Sequence, residues 1–123
     1  MAKTILITGA SSGLGAGMAR EFAAKGYNLA LCARRLERLE TLKQELQSQY
    51  SIQVGIKVLD VTHYDDVFTV FKAFQQDFGT IDRIIVNAGV GEGRRIGKGH
   101  FDVNRATAET NFISALAQCE AAV

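Results

Sequence analysis

The stretch Thr4–Gly17, TILITGASSGLGAG, decides the fold. Thr4–Thr8 is a β-branched and apolar run, the composition of a short strand. Gly9, Gly13 and Gly15 follow within seven positions, with Ser11 and Ser12 between the first two. Glycine loses more conformational freedom on folding than any other residue, so three so close together mark a place where something large approaches the backbone. Gly13 then opens a helical pattern to Lys25, with Leu14, Met18 and Phe22 four apart, and Gly26 stops it.

Outward from that unit the chain alternates. Asn28–Ala33 reads as a strand, and Arg35–Gln49 as a helix striped by Leu36, Leu39, Leu42 and Leu46. Val54–Leu59 is a third strand, Tyr64–Phe78 a helix aligning Val67, Phe71, Phe74 and Phe78, and Arg83–Asn87 a fourth strand. A loop with five glycines, Gly89 to Gly99, leads to a last helix from about Asn104. Four alternations of strand and helix indicate parallel strands joined by right-handed helical crossovers, an α/β fold with a doubly wound sheet. Ile84-Ile85-Val86 lacks polar alternation, as in a strand covered on both faces, and left at an edge it is an aggregation hazard. The last helix has Phe112, Leu116, Cys119 and Val123 on one face and reaches Val123 without a stop signal. Both features lead to the expectation that the chain is part of a longer fold.

Bulk properties exclude several classes. A net charge of +1 gives no electrostatic case for nucleic acid or a membrane surface. No apolar run approaches the roughly 18 residues of a membrane span, and Met1-Ala2-Lys3 leads into a strand without a signal-peptide core. The expected location is the cytosol. Cys32 and Cys119 form neither a disulfide framework nor a metal-ligand spacing, and are expected as reduced, mostly buried thiols; no metal site is expected.

A strand, a glycine turn and a helix form the ligand-binding unit of a doubly wound sheet. The helix starting near Gly13 offers unpaired N–H groups and a partial positive charge, where a pyrophosphate binds. The glycines admit it without an obstructing Cβ, and Ser11 and Ser12 add hydroxyl donors. Three residues separate Gly9 from Gly13 and Leu14 follows, so this is not a P-loop. The G-x-G-x-x-G pattern fails as well, because Met18 stands where its last Gly falls. What remains is Thr8-Gly9-x-x-x-Gly13-x-Gly15.

That pattern resembles the classical branch of the short-chain dehydrogenase/reductase family. Asp60-Val61 after strand three resembles the family's adenine-contacting pair, and Asn87-Ala88-Gly89 after strand four its "NAG" motif beside the cofactor. Asn111 matches the Asn that holds a water in its proton relay. The resemblance covers essentially the whole chain. It implies a Rossmann fold with strand order 3-2-1-4, incomplete here, residues 1–123 being the N-terminal part of one NADP-binding domain. It assigns Gly9, Ser11, Ser12, Gly13, Leu14, Gly15, Asp60, Val61, Asn87, Ala88 and Gly89 to the cofactor and Asn111 to catalysis. A dimer or tetramer is implied too, since the helix carrying Asn111 commonly packs on a partner subunit.

The choice of dinucleotide is read after strand two. No carboxylate precedes Glu37 there, and Ala33 stands about where NAD-preferring relatives carry Asp. Arg34 and Arg35 suit a 2′-phosphate, and as basic residues they oppose the dipole of the helix they precede, which suggests a purpose other than capping. NADP(H) is therefore expected, with a carbonyl or alcohol as substrate. The family's proton donor is the Tyr of a Tyr-x-x-x-Lys, assisted by a Ser. Four residues after Tyr27, Tyr50 and Tyr64 stand Leu31, Val54 and Phe68, so the motif is missing. The catalytic part is expected to lie beyond these residues, and the chain to be inactive alone; the alternative is a truncated, non-catalytic dinucleotide-binding module. His63 and His100 are read as surface or loop residues with no carboxylate obviously placed to orient them, and Arg94, Arg95 and Lys98 as a solvated loop.

Overall fold

The computed structural model describes residues 2–11, 13–88 and 99–123. Its strands are β1 (Thr4–Thr8), β2 (Asn28–Ala33), β3 (Val54–Val58) and β4 (Arg83–Ile85). They form one parallel sheet in the order β3-β2-β1-β4, with Leu6 flanked by Ala30 and Ile84. Every residue of β1 and all but the first of β2 are buried, which explains the unbroken apolar runs at 5–7 and 29–33.

Alternate side chains serve two cores. Ile5, Ile7, Leu29, Leu31 and Val54 pack beneath α1 (Gly13–Ala24) and α2 (Leu36–Gln49). Leu6, Ala30 and Cys32 point to the other face, against Val67, Phe71 and Phe74 of α3 (Tyr64–Phe78). The α3 stripe is the one expected. In α2, Leu39, Leu42 and Leu46 are buried while Leu36 is exposed. The helix α1 differs from expectation: its core face is Ala16, Ala19 and Ala23, and Leu14 is 72% exposed. Small side chains bring α1 close over the bulky Ile5 and Ile7, and Met18 and Phe22 are left at the margin.

β4 is shorter than its apolar run. Its start is held by reciprocal bonds, Thr4 N to Asp82 Oδ2 at 2.8 Å and Asp82 N to Thr4 O at 2.9 Å. Past Ile85 the Thr8 hydroxyl accepts the Asn87 and Ala88 amides at 2.9 and 3.0 Å, replacing the ladder.

The final helical segment starts earlier than expected and is interrupted. α4 (Phe101–Ala108) runs into a π-helical turn, Glu109–Ile113, and then α5 (Ser114–Ala122). The extra residue in that turn changes which face meets the core. Ser114 and Gln118 are fully buried, whereas Phe112 and Leu116 are more than half exposed and Cys119 is exposed, against the expectation of buried thiols. Gln118 Nε2 donates to Ser114 O at 3.2 Å, while its buried Oε1 has no hydrogen-bond partner among the described residues. Among the described residues no helix is long and apolar enough to cross a membrane.

Candidate functional site

The turn between β1 and α1 is fastened from three sides. Ala10 N donates to Cys32 O of β2 at 3.1 Å. Asn87 Nδ2 donates to Gly9 O at 3.2 Å. The Thr8 hydroxyl accepts from the two amides after β4 and donates to Ile85 O at 3.5 Å. The three glycines divide the work. A Cβ on Gly9 would stand 2.8 Å from Ala88 Cα, and one on Gly15 would stand 2.1 Å from Gly9 O and 2.7 Å from Asn87 Nδ2. These two are required by packing of the turn against itself and the β4 end. Gly13 has φ +58°, and among the described residues beyond its own neighbours and helix no atom comes within 4 Å of its Cβ position, so it faces open space at the mouth of α1. The first turn of α1 carries no acidic residue, leaving its amide end positive.

That mouth opens into a cleft of about 770 Å³, within the usual range of ligand pockets. The cleft collects Gly9, Ser11 and Leu14 from the turn, and Ala33, Arg34 and Arg35 after β2. Asp60 and Val61 line it after β3, and Asn87 and Ala88 after β4. Residues from four separate places in the chain therefore converge, all at the C-terminal ends of the strands. Asn111 is not among the lining residues; it lies in the π-helical turn. Ser12, Gly89 and the basic loop residues Arg94, Arg95 and Lys98 lie outside the described residues.

The Asp60 carboxylate is partly engaged within its own loop. Its Oδ1 accepts the Thr62 hydroxyl at 2.6 Å and the Thr62 amide at 3.0 Å. Burial pushes this carboxyl up, but the two Thr62 bonds, with His63 and Arg34 nearby, push it further down, below the usual aspartate value. A carboxylate has two oxygens, so the turn does not exhaust its accepting capacity. Cys32, beneath the turn, is buried, and burial pushes its thiol up to about 12. His63 and His100 are exposed, as read, although Asp66 Oδ2 does stand 3.7 Å from His63 Nδ1.

Sequence reading missed Arg38, Thr62, Ala106 and Glu109, which also line the cleft. Arg38 was within reach of the helical period, one turn after Arg35. Glu109 carried no such signal: its partner is Tyr64, whose Oη donates to Glu109 Oε2 at 2.5 Å across 45 positions. That bond raises the Tyr64 phenol above its ordinary value. Among the described residues no group of three or more His, Cys, Asp or Glu side chains is placed to hold a metal.

A family model described as short chain dehydrogenase matches residues 3–123. The chain belongs to the short-chain dehydrogenase family. A family relative, an uncharacterized oxidoreductase of Mycobacterium tuberculosis, is 55% identical over 120 residues, covering 97% of this chain and 47% of that protein. The sulfoacetaldehyde reductase of Chromohalobacter salexigens is 43% identical over 90 residues, 73% of this chain and 35% of that protein. The chain thus spans about half the length of the short-chain dehydrogenases it matches over its full extent. Among solved structures, an alcohol dehydrogenase from the archaeon Thermococcus sibiricus, complexed with 5-hydroxy-NADP, superposes with a TM-score of 0.94 at 33% identity, covering 98% of this chain and 52% of that one. The L-sorbose reductase of Gluconobacter frateurii, complexed with NADPH and L-sorbose, gives 0.90 at 28% identity, covering 98% and 46%.

Proposed function

We propose that this chain forms the coenzyme-binding part of an NADP(H)-dependent oxidoreductase acting on a carbonyl or alcohol substrate. The observation that carries the reading is the meeting, in one cleft, of the glycine turn at the mouth of α1 with Arg34, Arg35 and Arg38. The residues present fit the group. Gly13 leaves the α1 amides open to a diphosphate, and the arginines offer donors for a 2′-phosphate. Asp60 and Val61 form the wall for adenine, and Asn87 and Ala88 hold the turn in shape. Bound NADP(H) supplies or accepts the hydride. The neighbours solved with NADP-type coenzymes, and relatives named as reductases of different carbonyl compounds, support coenzyme and reaction class.

The Ser and the Tyr-x-x-x-Lys of the family's chemistry are assigned to the half of the relatives' length that this chain does not span, with Asn111 completing the proton relay. Tyr64 is no substitute, since its hydroxyl is committed to Glu109 and holds its proton more tightly than an ordinary phenol. We further assign the protein to the cytosol as a homo-oligomer, its partner covering the exposed Phe112, Ile113 and Leu116. A second reading resting on the same cleft is a dinucleotide-binding module without turnover. NADPH oxidation by the intact protein against a panel of carbonyl compounds separates the two.

The coenzyme assignment is tested by titrating NADPH and NADH into the intact protein and into Arg34→Ala. Loss of the charge-assisted bonds is expected to weaken NADPH about 10–150-fold, leaving NADH within about twofold. Equal loss for both coenzymes refutes the 2′-phosphate role.

A further inference from the structure

We propose that Tyr64 and Glu109 are a positioning pair that sets the width of the cleft at its Asp60 end, and so the affinity for the adenosine half of the coenzyme. This rests on the reading above, in which that end receives the adenosine half. The cleft there has two walls. One is the β3–α3 loop with Asp60, Val61 and Thr62; the other is the end of α4 and the π-helical turn that follows it, with Ala106 and Glu109 about one turn apart. α4 buries none of its own residues, and among the described residues the buried part of the segment begins only at Ser114, beyond Glu109, so burial within α4 does not hold that wall. The Tyr64–Glu109 bond ties the walls together directly. Tyr64 is the first residue of α3, two positions after Thr62, and its Oη–Oε2 distance of 2.5 Å is that of a charge-assisted bond.

Glu109 is also held from its own helix. Arg105 Nε stands 3.5 Å from Glu109 Oε1, leaving Oε2 to accept the Tyr64 hydroxyl. Glu109 is the residue at which α4 gives way to the π-helical turn, so the pair pins the segment where its helical register changes. The raised Tyr64 phenol fits the same role, since a group that keeps its proton remains a donor.

The test is calorimetric titration of NADPH and of adenosine 2′,5′-bisphosphate into the intact protein and its Tyr64→Phe, Glu109→Gln, Glu109→Ala and Tyr64→Phe/Glu109→Ala variants. Tyr64→Phe is expected to weaken both ligands by the same factor, about 3- to 30-fold, the range for residues that modulate a site without touching the ligand. Glu109→Gln keeps an acceptor for the Tyr64 hydroxyl and is expected to retain most of the affinity that Glu109→Ala loses. The double variant is expected to bind no more weakly than Tyr64→Phe alone, as for two members of one bond. If Tyr64→Phe does not fold, the Glu109→Gln and Glu109→Ala pair decides. The pair is overturned if these variants bind adenosine 2′,5′-bisphosphate as the wild type does, or if they weaken NADPH without weakening the bisphosphate. Arg34→Ala serves as the separate control: if it fails to discriminate NADPH from NADH, the reading of the cleft fails; if it discriminates and Tyr64→Phe is silent, only the pair does.

Discussion

At Gly15 a β-carbon would lie 2.1 Å from a carbonyl oxygen, inside any tolerable contact, and that oxygen is itself held by Asn87. Gly17, two positions on in the same helix, has nothing from the described residues outside that helix within 4 Å of where its β-carbon would stand. The two glycines therefore respond oppositely to alanine. Gly15→Ala has to displace the Gly9 carbonyl and is expected to destabilise the protein by about 3 kcal/mol, the upper end of the overpacking range, with loss of NADPH binding. Gly17→Ala removes a flexible residue from a helix interior and is expected to stabilise by about 0.5–1 kcal/mol. Urea unfolding of both variants, with NADPH titration, checks the pair. The spacing of Gly9, Gly13 and Gly15 was readable from sequence as a tight turn at the mouth of a helix. That only Gly13 faces open space, while Gly9 and Gly15 serve the packing of the turn, depends on Ala88 and Asn87, more than 70 positions away, and no local pattern encodes it.

The elements themselves were legible wherever their period was undisturbed. β1, β2 and α3 lie where the β-rich runs and the apolar stripe put them, because both faces of those strands and one face of that helix are buried. The segment from Phe101 onward was not, because a π-helical turn adds a residue that a fixed period of 3.6 does not anticipate. Its consequence is Gln118, a polar side chain fully buried with Oε1 unpartnered among the described residues. Methionine has nearly the same shape and no oxygen to desolvate. Gln118→Met is expected to raise unfolding free energy by about 1–2 kcal/mol, measured by urea unfolding; a loss of stability would mean that the amide has a partner of energetic weight. Of the cleft, the residues at strand ends were readable because each follows a recognisable strand. Glu109 was not, because a bond to Tyr64 across 45 positions leaves no trace in either neighbourhood.

For the molecule as a whole, the converging strand ends give the fold a dependence on acidity. The folded Asp60 carboxyl lies below its usual value, so its charged form stabilises the fold above the ordinary aspartate value of about 3.9. That contribution fades as pH falls from there through the lowered folded value. Asp60→Asn is expected to differ from the wild type by a constant amount between about pH 8 and 5, and by a shrinking amount below about pH 4. Urea unfolding across that series checks the sign; a difference that grows on acidification contradicts it. The same convergence has a mechanical side. One hydroxyl, that of Thr8, serves the amides of both Asn87 and Ala88, while Asn87 grips Gly9. Thr8 and Gly9 at the end of β1 are riveted to Asn87 and Ala88 beyond β4 into one piece. A molecule that straddles them meets an anvil rather than a jaw.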